Sequence, residues 1–312
     1  MTNAKPVHGS QQFLLTLLGT YFLGVEDKVP STFFVDVLGD FGLSETASRN
    51  ALSRVARQGF LEPSKRGRST YYALTEAAHS RQRRRLKQIV DFGRVLTEWD
   101  GTWTVATFSV SEDQRHLRHQ ARQILRQSGF GLLYDGVWVS PWPLAEDSRQ
   151  AMLNIGIDRI TVFTGAASVT FGGEGDPVSA FELEAVRPLL ESFIARTAPI
   201  VDALRSNKIS PTDALRLRIE TLRDWRNLGE NHPDLPSDLL PADWPLTMAR
   251  KLFEQAYDGL AAAAEARMRH HVGQSAAELI PSVRSLSTAE VADLEPAIGD
   301  PRKMTVGTGG LS

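Results

Sequence analysis

The 312-residue chain contains no cysteine. Disulfide frameworks, zinc–thiolate fingers, iron–sulfur ligation and cysteine nucleophiles are therefore excluded. It also lacks any run approaching 18 consecutive apolar residues, the length that a membrane-spanning helix requires. Met1 to Gln12 shows neither an apolar h-region nor a cleavage-site pattern, so no secretion signal and a cytoplasmic protein are expected. What remains is ordinary for a globular protein: 42% hydrophobic residues, 23% charged residues, and length for two or three domains.

The formal charge of −2 conceals a division. Residues 1–95 carry 14 Lys+Arg against 8 Asp+Glu, whereas the remainder carries 21 against 29. A basic head on an acidic body suggests a polyanion partner for the head, because clustered cations gain affinity by displacing phosphate counterions. A solvated charged surface gives the same totals, so the spacing has to decide.

Residues 13–24 (FLLTLLGTYFLG) read as an apolar helix ended by Gly24. Pro30 stands just before a second helix through Phe33, Phe34, Val37 and Leu38, which Gly42 stops. Ser44 is the expected N-cap of a third helix, with Glu45 in its first turn. Ala47, Ala51, Leu52 and Val55 then point one way, and Thr46, Arg49, Asn50, Ser53 and Arg57 the other. That outward face holds groups suited to base edges: Arg for guanine, Asn for adenine, Ser or Thr for either. Short helix, glycine turn and polar helix is the helix-turn-helix order, in which the second helix enters the major groove.

The next segment sharpens this reading. Phe60-Leu61 starts a strand, Lys65-Arg66-Gly67-Arg68 makes a tight basic turn, and Ser69 to Leu74 returns as a second strand. A cationic hairpin directly after a candidate recognition helix predicts a winged helix-turn-helix. Arg54, Lys65, Arg66 and Arg68 are the candidates for phosphates or the minor groove. Thr75 caps a further helix with Arg81, Arg83, Arg84, Arg85 and Lys87, which suits either phosphate contact or a solvated linker.

The run ALSRVARQGFLEPSKRGRSTYYALT (51–75) resembles the winged-helix segment of the PaaX-like transcriptional regulators of phenylacetic-acid catabolism. Two later segments resemble the same family, GFGLLYDGVWVSP (129–141) and HPDLPSDLLPADWP (232–245). The resemblance implies a dimeric repressor with a winged helix, a ferredoxin-like middle domain and a helical C-terminal domain. It further implies binding to double-stranded operator DNA and release by an aryl- or acyl-CoA thioester, phenylacetyl-CoA in the founding case. The family's middle domain is related to a nuclease subunit of CRISPR adaptation systems, which raises metal-dependent cleavage as an alternative.

The middle of the chain reads as β-α-β-β-α-β. Trp103–Val110 is a strand, Asp113 begins a helix striped by Leu117, Ala121, Ile124 and Leu125, and Asp135-Gly136 joins two short strands. A helix over 145–154 and a strand over Arg159–Phe163 complete the ferredoxin-like order. Asp100 is the nearest carboxylate to the first strand for a nuclease, with no evident second ligand. His116 and His119 stand three apart, but among Arg115, Arg118 and Arg122, where repulsion disfavours a metal. Gly172-Gly173-Glu174-Gly175 lacks the spacing and the lysine of a phosphate loop.

From 180 to 271 the pattern is helical with one proline-rich break, including a long helix from Leu246 to about His271. Arg223, Trp225 and Arg226 suit either a CoA thioester or a core with salt bridges. Ser287, Thr288 and Glu290 suit the cap of one short helix, and the last ten residues are expected to be disordered. The expectation is an α+β multidomain chain: a winged helix-turn-helix with linker helix over 1–95, a ferredoxin-like domain over 96–175, a helical dimerisation or effector domain over 176–272, and a poorly structured tail over 273–312. It is a non-enzymatic DNA-binding regulator without catalytic residues, metal or membrane contact, and a ligand-independent DNA-binding dimer is the other alternative.

Overall fold

The computed structural model describes residues 10–94, 98–166 and 176–294. The glycine cluster at 172–175 and the last ten residues lie outside them. The chain forms two compact units, and both mix helix with antiparallel sheet. Of the described residues, the first contains 10–94, 190–230 and 246–294, and the second contains 98–166, 176–189 and 231–245. Among the described residues, no helix is long and apolar enough to cross a membrane.

The first unit opens with α1 (Ser10–Tyr21), β1 (Val29–Pro30), α2 (Ser31–Gly39) and α3 (Glu45–Arg57). Strands β2 (Leu61–Arg66) and β3 (Ser69–Leu74) follow, then α4 (Glu76–Asp91). The sheet order is β1-β3-β2. Local chemistry explains the boundaries. The Ser44 hydroxyl accepts from the Ala47 N–H and starts α3, while the Thr75 hydroxyl accepts from Ala78 and starts α4. Arg66 pairs with Ser69, leaving the two-residue turn Gly67-Arg68. Gly67 has φ +60°, a conformation that a side chain would strain and that this kind of hairpin asks of its first central residue.

These elements do not fold around a core of their own. Leu14, Leu17, Phe33, Val37, Ala51, Leu52 and Val55 share one buried cluster with Leu215, Ile219, Leu260, Met268, Val272 and Val283. The later residues come from α8 (Pro211–Asn231), which follows α7 (Leu183–Arg205), from Leu260 just before α10 (Ala261–Ser275), from α10 itself and from the segment after it. The helix expected from 246 to 271 is in fact two, α9 (Leu246–Gly259) and α10. The break falls where a Cβ on Gly259 would stand 2.8 Å from the Leu204 side chain and where Leu260 is fully buried. The break thus falls beside a tightly packed residue with poor helix propensity.

Residues 277–294 also differ from the weakly structured tail that composition suggested. A 3-10 turn (Ala277–Ser282) and α11 (Thr288–Ala292) pack on the first unit, with Val283 and Val291 fully buried. Ser287 and Glu290 form a complete capping box. Thr288 donates to Asp258 from both its N–H (2.8 Å) and its hydroxyl (2.6 Å), and Lys87 donates to the Ala292 carbonyl. Arg218, with no exposed surface, donates to the carbonyls of Tyr257 (3.0 Å) and Leu286 (2.7 Å) and lies 3.9 Å from the Tyr257 ring centroid. A buried guanidinium needs such acceptors, and the tail supplies one of them.

In the second unit the order is β4 (Thr102–Phe108), α5 (Arg115–Gln127), β5 (Gly131–Tyr134), β6 (Val137–Ser140), α6 (Ala145–Asn154) and β7 (Ile160–Ala166). The antiparallel sheet has the strand order β5-β6-β4-β7. Ala121 and Leu125 of α5 and Met152 of α6 share a core with Ala106 and Trp138 of the sheet. The segment 231–245 is tied together by a fully framed histidine. The Asp234 N–H lies 2.9 Å from His232 Nδ1 and the Trp244 indole N–H 3.0 Å from Nε2, so the neutral ring accepts from one of the two with its single lone pair. Arg187 lies over the Trp244 ring and pairs with Asp243 at 3.1 Å.

Candidate nucleic-acid interface

The spacing of α3 places Thr46, Arg49, Asn50, Ser53 and Arg57 at i, i+3, i+4, i+7 and i+11, a single stripe along the helix. All five are exposed, and so are Arg54, Lys65, Arg66 and Arg68. The opposite side of α3 is buried through Ser48, Ala51, Leu52 and Val55. Ser48 takes the fully buried inward place expected of Ala47, which is half-buried. The helix is thus clamped to the core by one face and presents the other to solvent.

The cations of this surface are not equivalent. Arg49 is held by Glu45 one turn earlier, its Nε donating at 2.9 Å and its Nη2 at 2.8 Å from the carboxylate. This pair preorganises the arginine along the stripe, although an exposed pair of this kind adds little stability. Arg66 lies over the Tyr71 ring, 5.1 Å from its centroid, which directs the side chain back along the hairpin. Arg54, Arg57, Lys65 and Arg68 have no partner among the described residues. Neither the Glu45 clamp nor the Tyr71 platform was part of the sequence reading, although the four-residue spacing of Glu45 and Arg49 signals the first.

Behind this surface sits a second feature that sequence spacing could not suggest. Asp40, at the C-terminal end of α2, accepts Arg267 Nε at 2.8 Å and Nη2 at 2.7 Å, and lies 2.7 Å from His271 Nε2. Burial alone would raise the Asp40 carboxyl, but the hydrogen bonds from Arg267 and His271, with their charges, hold it below the usual carboxylate value. The network fastens α2 to α10 across more than two hundred residues of chain. Asp40→Ala is expected to cost about 2 kcal/mol, the scale for hydrogen bonds to charged groups. Calorimetry checks this: a first-unit transition that stays in place would show the network to be energetically idle.

Other candidates fall elsewhere. Trp225 is wholly buried, stacked on Phe253 at 4.8 Å with an 11° interplanar angle. Arg226 lies 3.4 Å from Glu230, and Arg223 is half-buried. Asp100 accepts from both the N–H (2.8 Å) and the hydroxyl (2.7 Å) of Thr102, bracing the turn before β4. Among the described residues, no group of three or more His, Asp or Glu is gathered for a metal ion. Within α4, Lys87 is committed to Ala292 and Asp91, whereas Arg81, Arg83 and Arg84 are exposed.

Three family profiles match the chain. One described as PaaX-like protein matches residues 10–78, the PaaX protein central Cas2-like domain matches 96–177, and the PaaX-like protein C-terminal domain matches 181–270. The chain belongs to the PaaX-like family. A curated relative, the transcriptional repressor PaaX of Escherichia coli (strain K12), is 25% identical over 283 residues, 89% of this chain and 88% of the relative. Among solved structures, the uncharacterized protein Rv0674 from Mycobacterium tuberculosis is similar in fold. Its TM-score is 0.50 at 22% identity, over 82% of this chain and 97% of that one. The segments that carry the resemblance in sequence fall one in each matched region, 51–75 within 10–78, 129–141 within 96–177 and 232–245 within 181–270.

Proposed function

We propose that this PaaX-like protein is a DNA-binding transcriptional regulator, a repressor of an aromatic-acid catabolic operon of the phenylacetate kind. In this reading residues 1–95 are a winged helix-turn-helix. Thr46, Arg49, Asn50, Ser53 and Arg57 enter the major groove, and Arg54, Lys65, Arg66 and Arg68 hold phosphates or the minor groove. The β-α-β-β-α-β unit is a ferredoxin-like domain. The protein works as a homodimer on a two-fold operator and leaves it on binding an aryl- or acyl-CoA thioester. One observation carries the reading: α3 buries one face in the core and exposes a carboxylate-free stripe after its first turn, directly beside a cationic hairpin. The similarity to a named transcriptional repressor points the same way.

The test is fluorescence anisotropy with DNA from the gene's own upstream region against scrambled DNA at matched salt. Preference for the upstream DNA, lost on adding one acyl-CoA, is expected. Binding indifferent to every thioester would leave a ligand-independent regulator, and metal-dependent breakdown of the DNA would favour a nuclease. Arg49→Ala is expected to cost about 1–3 kcal/mol at one base position and to relax preference there. Removing one wing cation should weaken all sequences alike and flatten the salt slope by about one unit. Equal loss on operator and random DNA for Arg49→Ala would remove its base-reading role.

A further inference from the structure

The most uneven distribution of charge in the second unit lies on α5. Between residues 98 and 166 there are six arginines, no lysines and eight carboxylates. Four of the arginines sit on α5, and α5 has no carboxylate at all. Arg115, Arg118, His119, Arg122 and Arg126 recur at i, i+3, i+4, i+7 and i+11, so they form one stripe. Ala121 and Leu125 fix the opposite side in the core. Arg115, His119, Arg122 and Arg126 are exposed and Arg118 is half-buried.

Little within the protein neutralises this stripe. Arg115 is 3.5 Å from Glu112, both largely exposed, and Arg126 lies 5.8 Å from the Trp138 ring centroid. Arg118 and Arg122 have no partner among the described residues. By contrast, Arg149 on α6 is paired with Glu146 at 2.6 Å. Like charges one helical turn apart repel, and an external polyanion removes that cost. Residues four apart rise about 6 Å along the axis and turn by about 40°, so Arg118, Arg122 and Arg126 present a gently winding row of planar, bidentate donors suited to consecutive phosphates.

We propose that the α5 stripe is a second phosphate-contacting surface, taking the backbone of duplex DNA without reading its sequence. The inference rests on the proposed DNA-binding function and adds a contact made by the second unit, outside α3 and the hairpin. Backbone contact alone is assigned, because the stripe holds four arginines and one histidine and lacks the Asn, Ser and Thr that stand beside Arg49 on α3.

The experiment uses the full chain and compares Arg118→Gln/Arg122→Gln with wild type across a range of salt. Two lost phosphate contacts should flatten the dependence of log K on log salt by about two units, equally for upstream and scrambled DNA. Arg149→Gln, which removes a paired cation from the same unit, should leave the slope unchanged. An unchanged slope in the double variant, with α3 and wing variants still weakening binding, would overturn this proposal and leave the DNA-reading function standing. A flattened slope in the double variant, with α3 and wing variants inert, would support the stripe and sink the winged-helix reading. Absence of any DNA binding by the wild-type chain would overturn both.

Discussion

Trp225→Ala should lower the stability of the first unit by about 3–5 kcal/mol, the range for deleting a fully buried tryptophan. The indole has no exposed surface and is enclosed by Phe253 at 4.8 Å, Phe92 at 5.0 Å and Phe193 at 5.3 Å. These rings come from three separate stretches of chain, so the cavity cannot be closed by one local adjustment. In calorimetry the first-unit transition should fall by roughly 10 °C, given the scale of a few degrees per kcal/mol for a unit of this size. The transition of the second unit should hold. A variant with an unmoved first transition and a lost response to acyl-CoA would instead return Trp225 to the role of a ligand wall.

The second large effect is on pH. Burial lowers the His232 imidazole to about 4 from its ordinary 6.5. Both ring nitrogens face donors, the Asp234 N–H and the Trp244 indole: the neutral ring accepts from one of them, whereas an imidazolium accepts from neither. The unfolded chain therefore takes up a proton near pH 6.5, whereas the folded one resists until about 4. The stabilisation is whole above pH 6.5 and is lost as pH falls through that window, by about 3 kcal/mol in all. His232→Gln, which cannot titrate, should flatten the acid decline of the second unit while lowering its stability at neutral pH. An acid decline identical in the variant would show that other groups govern it.

Much of the N-terminal segment through β3 was legible in the sequence because its signals are local. Ser44, Gly42 and Gly67 mark a cap, a stop and a turn through their own backbone preferences, and the bounds of α3, β2 and β3 follow from them. Helical spacing separated the Thr46–Arg57 stripe from Leu52 and Val55 with no knowledge of what packs behind. The order of elements in the second unit was equally local, since 3.6- and 2-residue periods distinguish its helices from its strands. The same periodicity misread the stretch from 246 to 271, where the break after Gly259 falls against Leu204, more than fifty residues away.

The sequence by itself determined the element order, the outward chemistry of α3 and the hairpin, and the family resemblance. Each depends on neighbours within about one or two turns of chain. Only the tertiary structure decided that the N-terminal helices share a core with α8, α10 and the segment through Val283. It likewise decided that Trp225 is core, that Asp40 joins α2 to α10, and that the tail supplies an acceptor for buried Arg218. The physical reason is common to all of these. Burial and charge compensation are properties of what the rest of the chain brings to a residue, and composition or spacing around the residue itself carries no record of that partner.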